Sequence, residues 1–347
     1  MDFTFSKDQL LFQDSVRDFL VKEVTPEKIR ASWETKDGRD PALWQQIVEM
    51  GLPGITIPQQ FGGLGMSELD FVLLAQECGY VALPEPLVHT SLIAVPMLKE
   101  LGGGLAARWL PKVAAGEAKV VVGLERNLLV EDAHIADLLL IQKGKEIFAL
   151  TPQQVTLRHN ASIDPSRKLY ALEFDPSVQS VARGEHATDL VNAALNRGAL
   201  ACAAQALGLA QRMIDMTVLY TTDRHQFGKP IGSFQAVKHS MANIAVRLEY
   251  AKAPVHRAAY AIANGQASAS RNVSHAKVVA CEAAKLAAKN TIQAHGAMGY
   301  TWEVDLHIFM KKAWALANTW GDEGFHKTRV ADYIFSEGAM LGAGNTF

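Results

Sequence analysis

A mostly helical chain with a small β-domain in its middle is the fold class this sequence predicts, and three observations carry it. Apolar residues recur at helical spacing from Ser6 to about Leu101; short β-branched or apolar runs separated by turns replace them from Val120 to about Val181; helical periodicity then resumes almost to the end. This order predicts an N-terminal helical domain at residues 1–116, a reduced antiparallel β-domain at 117–187 and a C-terminal four-helix bundle at 188–347.

Ser6 stands as the N-cap of a first helix carrying Leu10, Leu11, Val16, Phe19 and Leu20, with Asp8 in its first turn. A second helix follows Pro41, carries Leu43, Trp44, Ile47 and Val48, and ends at Gly51. The stretch from Leu52 to Gly65 is dense in Gly and Pro and reads as an ordered loop, Gly62 and Gly63 serving tight turns. Helical spacing covers Glu68 to Tyr80 and Leu87 to Leu101. Four runs then predict strands: Val120 to Leu124, Leu138 to Ile141, Ile147 to Leu150 and Tyr170 to Phe174. From about Thr188 to Tyr220 the chain is rich in Ala, Leu and Gly at helical spacing, and beyond a break Val237, Met241, Ile244, Leu248 and Ala251 repeat at steps of four and three. A further long helix, from about Ser268 to Ala294, lines up Ala276, Ala280, Ala283 and Ala287 for close helix approach, with Gly296 as the residue that stops it.

Composition narrows the function classes. With 347 residues, 49% hydrophobic and 20% charged, the chain can bury a large core in two or three domains. A net charge of −2 and dispersed Lys and Arg give no basis for binding nucleic acid or an anionic membrane surface. Cys78, Cys202 and Cys281 lie far apart in apolar helical contexts and read as buried thiols in a reducing compartment; His225, His239, His275, His295, His307 and His326 lack the paired spacing of a zinc site. No signal-peptide pattern opens the chain and no apolar run is long enough to span a bilayer, so a cytoplasmic location is expected.

The break between the long helices, Arg224-His225-Gln226-Phe227-Gly228-Lys229-Pro230-Ile231, is a helix-to-helix elbow. Gly228 permits a positive φ, Pro230 stops helical continuation, and Ser233 stands where an N-cap would open the next helix. An arginine on such a turn, beside an amide side chain and backbone N–H groups, is placed to grip a phosphate by forked, charge-assisted hydrogen bonds; a solvated loop arginine is the plain alternative.

In combination, the Gly51–Gly65 loop, the elbow with Phe234-Gln235 after it, and Gln293-Ala294-His295-Gly296-Ala297-Met298-Gly299-Tyr300 resemble the acyl-CoA dehydrogenase family over essentially the whole chain. The resemblance implies an N-terminal helical domain, a β-barrel-like domain and a C-terminal four-helix bundle. It also implies FAD lying between subunits, and a carboxylate that removes the α-proton of an acyl-CoA while hydride leaves the β-carbon for the flavin. It gives Arg224, Gln226 and Phe227 the cross-subunit contact to the flavin pyrophosphate, puts Ile231 and Phe234 near the adenine side, and gives Gln293, Gly296 and Ala297 the second cross-subunit contact, Ala297 replacing a usual glycine.

Other expected parts are missing. The family's base is a Glu in a Tyr-Glu-Gly-Thr stretch, and the matching segment, Asn318-Thr319-Trp320-Gly321-Asp322-Glu323-Gly324, puts Trp320 there; the family's alternative base position falls at about Gly198. Asp322 and Glu323 are the nearest acids, and dipole complementarity at a helix start is their plain reading. The β-domain carries neither the Thr-Glu-Pro…Gly-Ser-Asp stretch nor the Lys-x-Trp-Ile-Thr strand that lines the flavin ring in the family. The chain is thus similar to the short subunit of bacterial heteromeric (α2β2) acyl-CoA dehydrogenases acting on steroid side chains and other bulky thioesters. That likeness implies a catalytic partner subunit, an acyl-CoA substrate and electron-transfer flavoprotein as acceptor. The alternatives are a self-sufficient dehydrogenase using Asp322 or Glu323, and a flavin-free scaffold.

Overall fold

The computed structural model describes residues 4–339 and 341–342. The chain divides into two compact units, one of Met1–Pro26, Val72–Leu83 and Cys202–Phe347, the other of Glu27–Phe71 and Pro84–Ala201.

The N-terminal helices start where short polar side chains satisfy the first free N–H groups. Ser6 accepts from the Gln9 N–H while the Gln9 side chain accepts from the Ser6 N–H, a reciprocal cap that opens α1 (Lys7–Glu23). Its apolar face buries Val16 and Leu20, whereas Leu10 and Leu11 face outward. Next comes α2 (Pro26–Trp33), which is not among the helices expected above; it is only eight residues long and includes Glu27, Lys28 and Arg30. Asp40 caps α3 (Pro41–Glu49), which buries Leu43, Trp44 and Ile47. The Gly/Pro-rich stretch forms two single 3₁₀ turns, Leu52–Gly54 and Gln59–Phe61, ahead of α4 (Glu68–Tyr80). The helical stretch from Leu87 is interrupted: α5 (Leu87–His89) passes through a π-turn at Thr90–Ala94 into α6 (Val95–Leu101), and α7 (Gly103–Ala114) follows, also unanticipated.

The β-domain corrects the expectation of one small antiparallel sheet: it holds two sheets. Strands β1 (Val120–Gly123), β2 (Val130–Glu131), β3 (Leu138–Lys143), β4 (Glu146–Leu150), β5 (Val155–Asn160), β6 (Leu169–Phe174) and β7 (Ala182–Arg183) sort into a four-stranded sheet, β1-β3-β4-β7, and a three-stranded one, β2-β6-β5. Because β2 leaves for the second sheet, the chain returns to lay β3 beside β1 in the same direction, and that pair is parallel. Val121, Leu139, Ile141, Phe148 and Leu150 form the shared core, against which Leu157, Tyr170, Leu172 and Phe174 pack. On the free edge of β1 the Val122 N–H donates to His89 Nε2; burial holds this imidazole's pKa down at about 4, so it stays a neutral acceptor. Within the same unit buried Arg39 is paired with Asp132, and the Trp33 indole N–H donates to Ser166.

The remaining long helices are α8 (Gly184–Asp223), then, beyond the elbow strands β8 (His225–Gln226) and β9 (Lys229–Pro230), α9 (Gln235–Ala263) and α10 (Ala269–His295), with α11 (Leu306–Ala317) and α12 (Glu323–Ile334) closing the bundle. Ala276, Ala280, Ala283 and Ala287 are all buried, as their spacing requires. Where α4 crosses α8 the backbones touch: a Cβ on Gly208 would lie 1.9 Å from the Gln76 carbonyl oxygen, and one on Gly79 2.1 Å from that of Gln205. Two buried lysines close helix ends, Lys277 donating to the Leu316 carbonyl at the end of α11 and Lys312 to the Leu83 carbonyl just beyond α4. Cys78, Cys202 and Cys281 are buried thiols, and burial pushes Cys78 up to about 12. Among the described residues no helix is long and apolar enough to cross a membrane.

Candidate functional site

The elbow is a miniature β-hairpin set between α8 and α9. Gln226 pairs with Lys229 and His225 with Pro230, which leaves Phe227 and Gly228 as a two-residue loop with φ of 54° and 79°. Positive φ at both loop residues matches the twist of the flanking strands; Gly228 adopts it without cost, whereas the Cβ of Phe227 makes it unfavourable by about 1–2 kcal/mol. The expected N-cap is corrected: Phe234, not Ser233, occupies the cap position of α9, and the Ser233 hydroxyl turns back to donate to the Pro230 carbonyl at 2.7 Å. Ser233 is spent closing the 3₁₀ turn Ile231–Ser233, so its oxygen does not meet the first N–H groups of the helix.

The backbone of Arg224 is pinned on both sides, its N–H donating to the Tyr220 carbonyl at 2.9 Å and its own carbonyl accepting from the Ile231 N–H at 2.8 Å. Its guanidinium is exposed and has no hydrogen-bond or ion-pair partner among the described residues. Gln226 is exposed as well, Phe227 is 90% exposed, and Ile231 and Phe234 are half-buried at the base of the turn. The Phe227 and Phe234 rings meet edge to face at 6.2 Å, with Lys229 Nζ 4.4 Å from the centre of the Phe234 ring. Behind the hairpin a cavity of ≈ 430 Å³ is lined by Val218, Thr221, Pro230, Ser233, Val237 and Met241 among others.

The second motif ends α10 at His295; Gly296, at φ 60°, turns the chain into the 3₁₀ segment Gly296–Tyr300, and Gln293, Gly296 and Ala297 are exposed. Tyr220 joins the two motifs, a link that reading the sequence missed. Its ring stacks on His295 at 4.2 Å and 21°, its hydroxyl donates to the His295 carbonyl at 3.4 Å, and its own carbonyl holds Arg224. The imidazole is buried, which lowers its pKa, and its Nδ1 carries the proton given to the Thr291 carbonyl. Stacking between neighbours so far apart in the chain leaves no trace in local periodicity.

Trp320, which the sequence resemblance puts at the base's position, is buried, with φ 58°. His326, 0% exposed, holds this turn: its Nε2–H donates to the Trp320 carbonyl at 3.0 Å, and Nδ1 meets the Ser274 hydroxyl at 3.0 Å. Burial lowers this imidazole to about 4, so it is neutral at ordinary pH. Asp322 caps α12, accepting from the Phe325 N–H at 2.8 Å. Glu323 lies at the surface between Lys327 at 2.6 Å and Lys285 at 3.1 Å; hydrogen bonds from these two ammonium groups, Lys327 first, hold it below the usual carboxylate range. Gly198 is buried in α8, and the neighbouring Arg197 is paired with Glu68 at 2.8 Å. At the end of β1, the Glu125 carboxylate accepts from the Gly144 N–H and the Glu125 N–H donates to Gln142, so this loop satisfies its polar groups internally.

The donor set at the elbow fits a dinucleotide's pyrophosphate: an outward guanidinium with unused N–H groups, an exposed primary amide beside it, and exposed backbone at a helix end joined to it through Tyr220.

Comparison with known proteins places the whole chain in a family. The family model described as "Acyl-CoA dehydrogenase, N-terminal domain" matches residues 6–117, and "Acyl-CoA dehydrogenase, C-terminal domain" matches 188–335. The chain is 31% identical over 331 residues to "Acyl-CoA dehydrogenase IpdE2" of Mycolicibacterium smegmatis, covering 95% of this chain and 100% of that one. Among solved structures it shares its fold with the ChsE4-ChsE5 complex from Mycobacterium tuberculosis, at a TM-score of 0.86 and 21% identity over 97% of this chain and 100% of that one. It likewise matches the Tcur3481-Tcur3483 steroid ACAD, at a TM-score of 0.84 and 22% identity over 94% and 98%.

Proposed function

This chain belongs to the acyl-CoA dehydrogenase family of oxidoreductases acting on acyl-CoA, and from that premise we propose that it is the non-catalytic member of a heteromeric enzyme, lending its elbow to complete the FAD site of a catalytic partner. The observation that carries this reading is a contrast within one chain. The Arg224 guanidinium has no partner among the described residues, while Trp320, which the sequence resemblance puts at the position of the family's proton-abstracting carboxylate, is buried.

Arg224, Gln226 and Phe227, with Gln293, Gly296 and Ala297, hold the pyrophosphate and adenosine side of the flavin, and Ile231 and Phe234 border the adenine. Bound flavin supplies the hydride acceptor. On this chain nothing at the matching segment takes the α-proton: the Trp320 indole offers only an N–H, Asp322 is committed to its cap, and Glu323 is held ionised between two lysines at the surface. The partner therefore brings the base and the pocket around the flavin ring, and an α2β2 assembly carries two flavins. Likeness to two heteromeric structures, one described as a steroid ACAD, supports a bulky, steroid-derived acyl-CoA thioester as the substrate and α,β-desaturation as the reaction. Electron-transfer flavoprotein is the acceptor in this reading.

The test is flavin content per chain. The native assembly, purified through a tag on this chain, should hold one FAD for each pair of unlike chains, and this chain purified alone should be colourless and inactive. Full flavin content and dehydrogenase turnover in the lone chain would refute the proposal.

A further inference from the structure

We propose that Lys229 is a positioning residue of the elbow, acting through the Phe234 ring to keep Phe227 in its outward, left-handed place; this rests on the reading of the elbow as a flavin clamp. The geometry is a ladder of three side chains. Lys229 Nζ lies 4.4 Å from the Phe234 ring centre, and Phe234 meets Phe227 edge to face at 6.2 Å and 89°. Lys229 is exposed and has no carboxylate partner among the described residues, and the Phe234 ring is the group its ammonium meets. An ammonium group over an aromatic face gains electrostatic attraction from the ring quadrupole, and that attraction restrains both groups.

The need for restraint follows from the backbone. Phe227 is 90% exposed at φ 54°, a conformation its own side chain disfavours. Lys229 sits directly across the hairpin from Gln226, and this pair flanks the two-residue loop, so the cation stands next to the turn that holds the strained aromatic. Fixing Phe234 at the start of α9 gives the Phe227 ring a wall on the protein side and leaves its other face for a ligand or partner.

The experiment uses the native complex purified through a tag on this chain, stripped of flavin and titrated with FAD. Lys229→Met should weaken FAD binding about two- to five-fold, the size of an exposed cation–π contact. Phe234→Leu should weaken it at least as much, and the double variant should be no weaker than Phe234→Leu alone. Lys229→Arg, which keeps the cation over the ring, should restore wild-type affinity, and the melting temperature should be unchanged in all three single variants. Arg224→Ala serves as the separate arm, with an expected loss of tenfold or more. If Arg224→Ala loses FAD while Lys229→Met does not, or if the Lys229 and Phe234 effects add, or if Lys229→Arg behaves as Lys229→Met, the positioning role is overturned and the clamp stands. If Arg224→Ala also binds FAD normally, the clamp falls and the positioning role with it.

Discussion

Acidification should loosen the Trp320 turn through one buried imidazole, and the size of the effect follows from its surroundings. His326 is 0% exposed, packed between Ser274 and the Trp320 carbonyl, and burial lowers it from 6.5 to about 4. The unfolded chain therefore takes up this proton first. The stability His326 contributes is fully present above pH 6.5, falls as pH drops through the window between 6.5 and 4, and levels off below it. At pH 5 the loss attributable to this group is about 2 kcal/mol, on the order of a few degrees in melting temperature. His89 and His256, both lowered to about 4 by burial, pull the same way. Glu77 and Glu85, raised by burial, pull the other way, so the decisive quantity is a difference between two proteins. In His326→Gln the amide can still donate to the Trp320 carbonyl and accept from Ser274 without titrating. Thermal melts of wild type and variant from pH 7 to pH 5 should converge, the wild type losing about 2 kcal/mol more. Parallel curves would refute the claim that His326 is held neutral by its packing.

Other outcomes follow from particular contacts. Gly208→Ala puts a Cβ 1.9 Å from the Gln76 carbonyl oxygen, so α4 and α8 must separate; denaturant melts should show a loss of about 3 kcal/mol or more, and an unchanged midpoint would mean the crossing is looser than described. Asp322→Asn and Glu323→Gln should leave turnover of the complex unchanged if, as proposed, the partner brings the base, while Asp322→Ala should cost about 1 kcal/mol by removing the α12 cap. A steep fall in turnover for either amide variant would restore it as the base. Phe227→Asn places a residue that tolerates positive φ in the hairpin loop, so the chain should gain up to about 1 kcal/mol of stability while the complex retains less FAD.

Reading the residues in order was most reliable where one local force acts alone. The Ser6 cap, the limits of α4, the buried alanine line of α10 and the turn at Gly228 each depend on neighbours within a few residues, and each stands as the sequence implied. It failed where a local preference was outbid. Ser233 has the chemistry of an N-cap yet bonds backward to Pro230, α2 is only eight residues long, and α7 carries a proline, Pro111, in its interior. The two-sheet division of the β-domain was likewise hidden, since strand character says nothing about which strand lies beside which.

For the candidate site, the sequence by itself determined the chemistry on offer: a cation and an amide on an elbow, glycine at a helix end, and a tryptophan where a carboxylate is expected. Only the tertiary structure decided how those groups are used. It left the Arg224 guanidinium without a partner among the described residues, joined the two motifs through Tyr220 and His295, buried Trp320 over a neutral histidine, and tied Glu323 to two lysines. Residue type fixes what a side chain is able to bond. Which bonds remain unmade depends on the neighbours that long-range packing brings within a few ångströms, and those are not written in any local stretch of the chain.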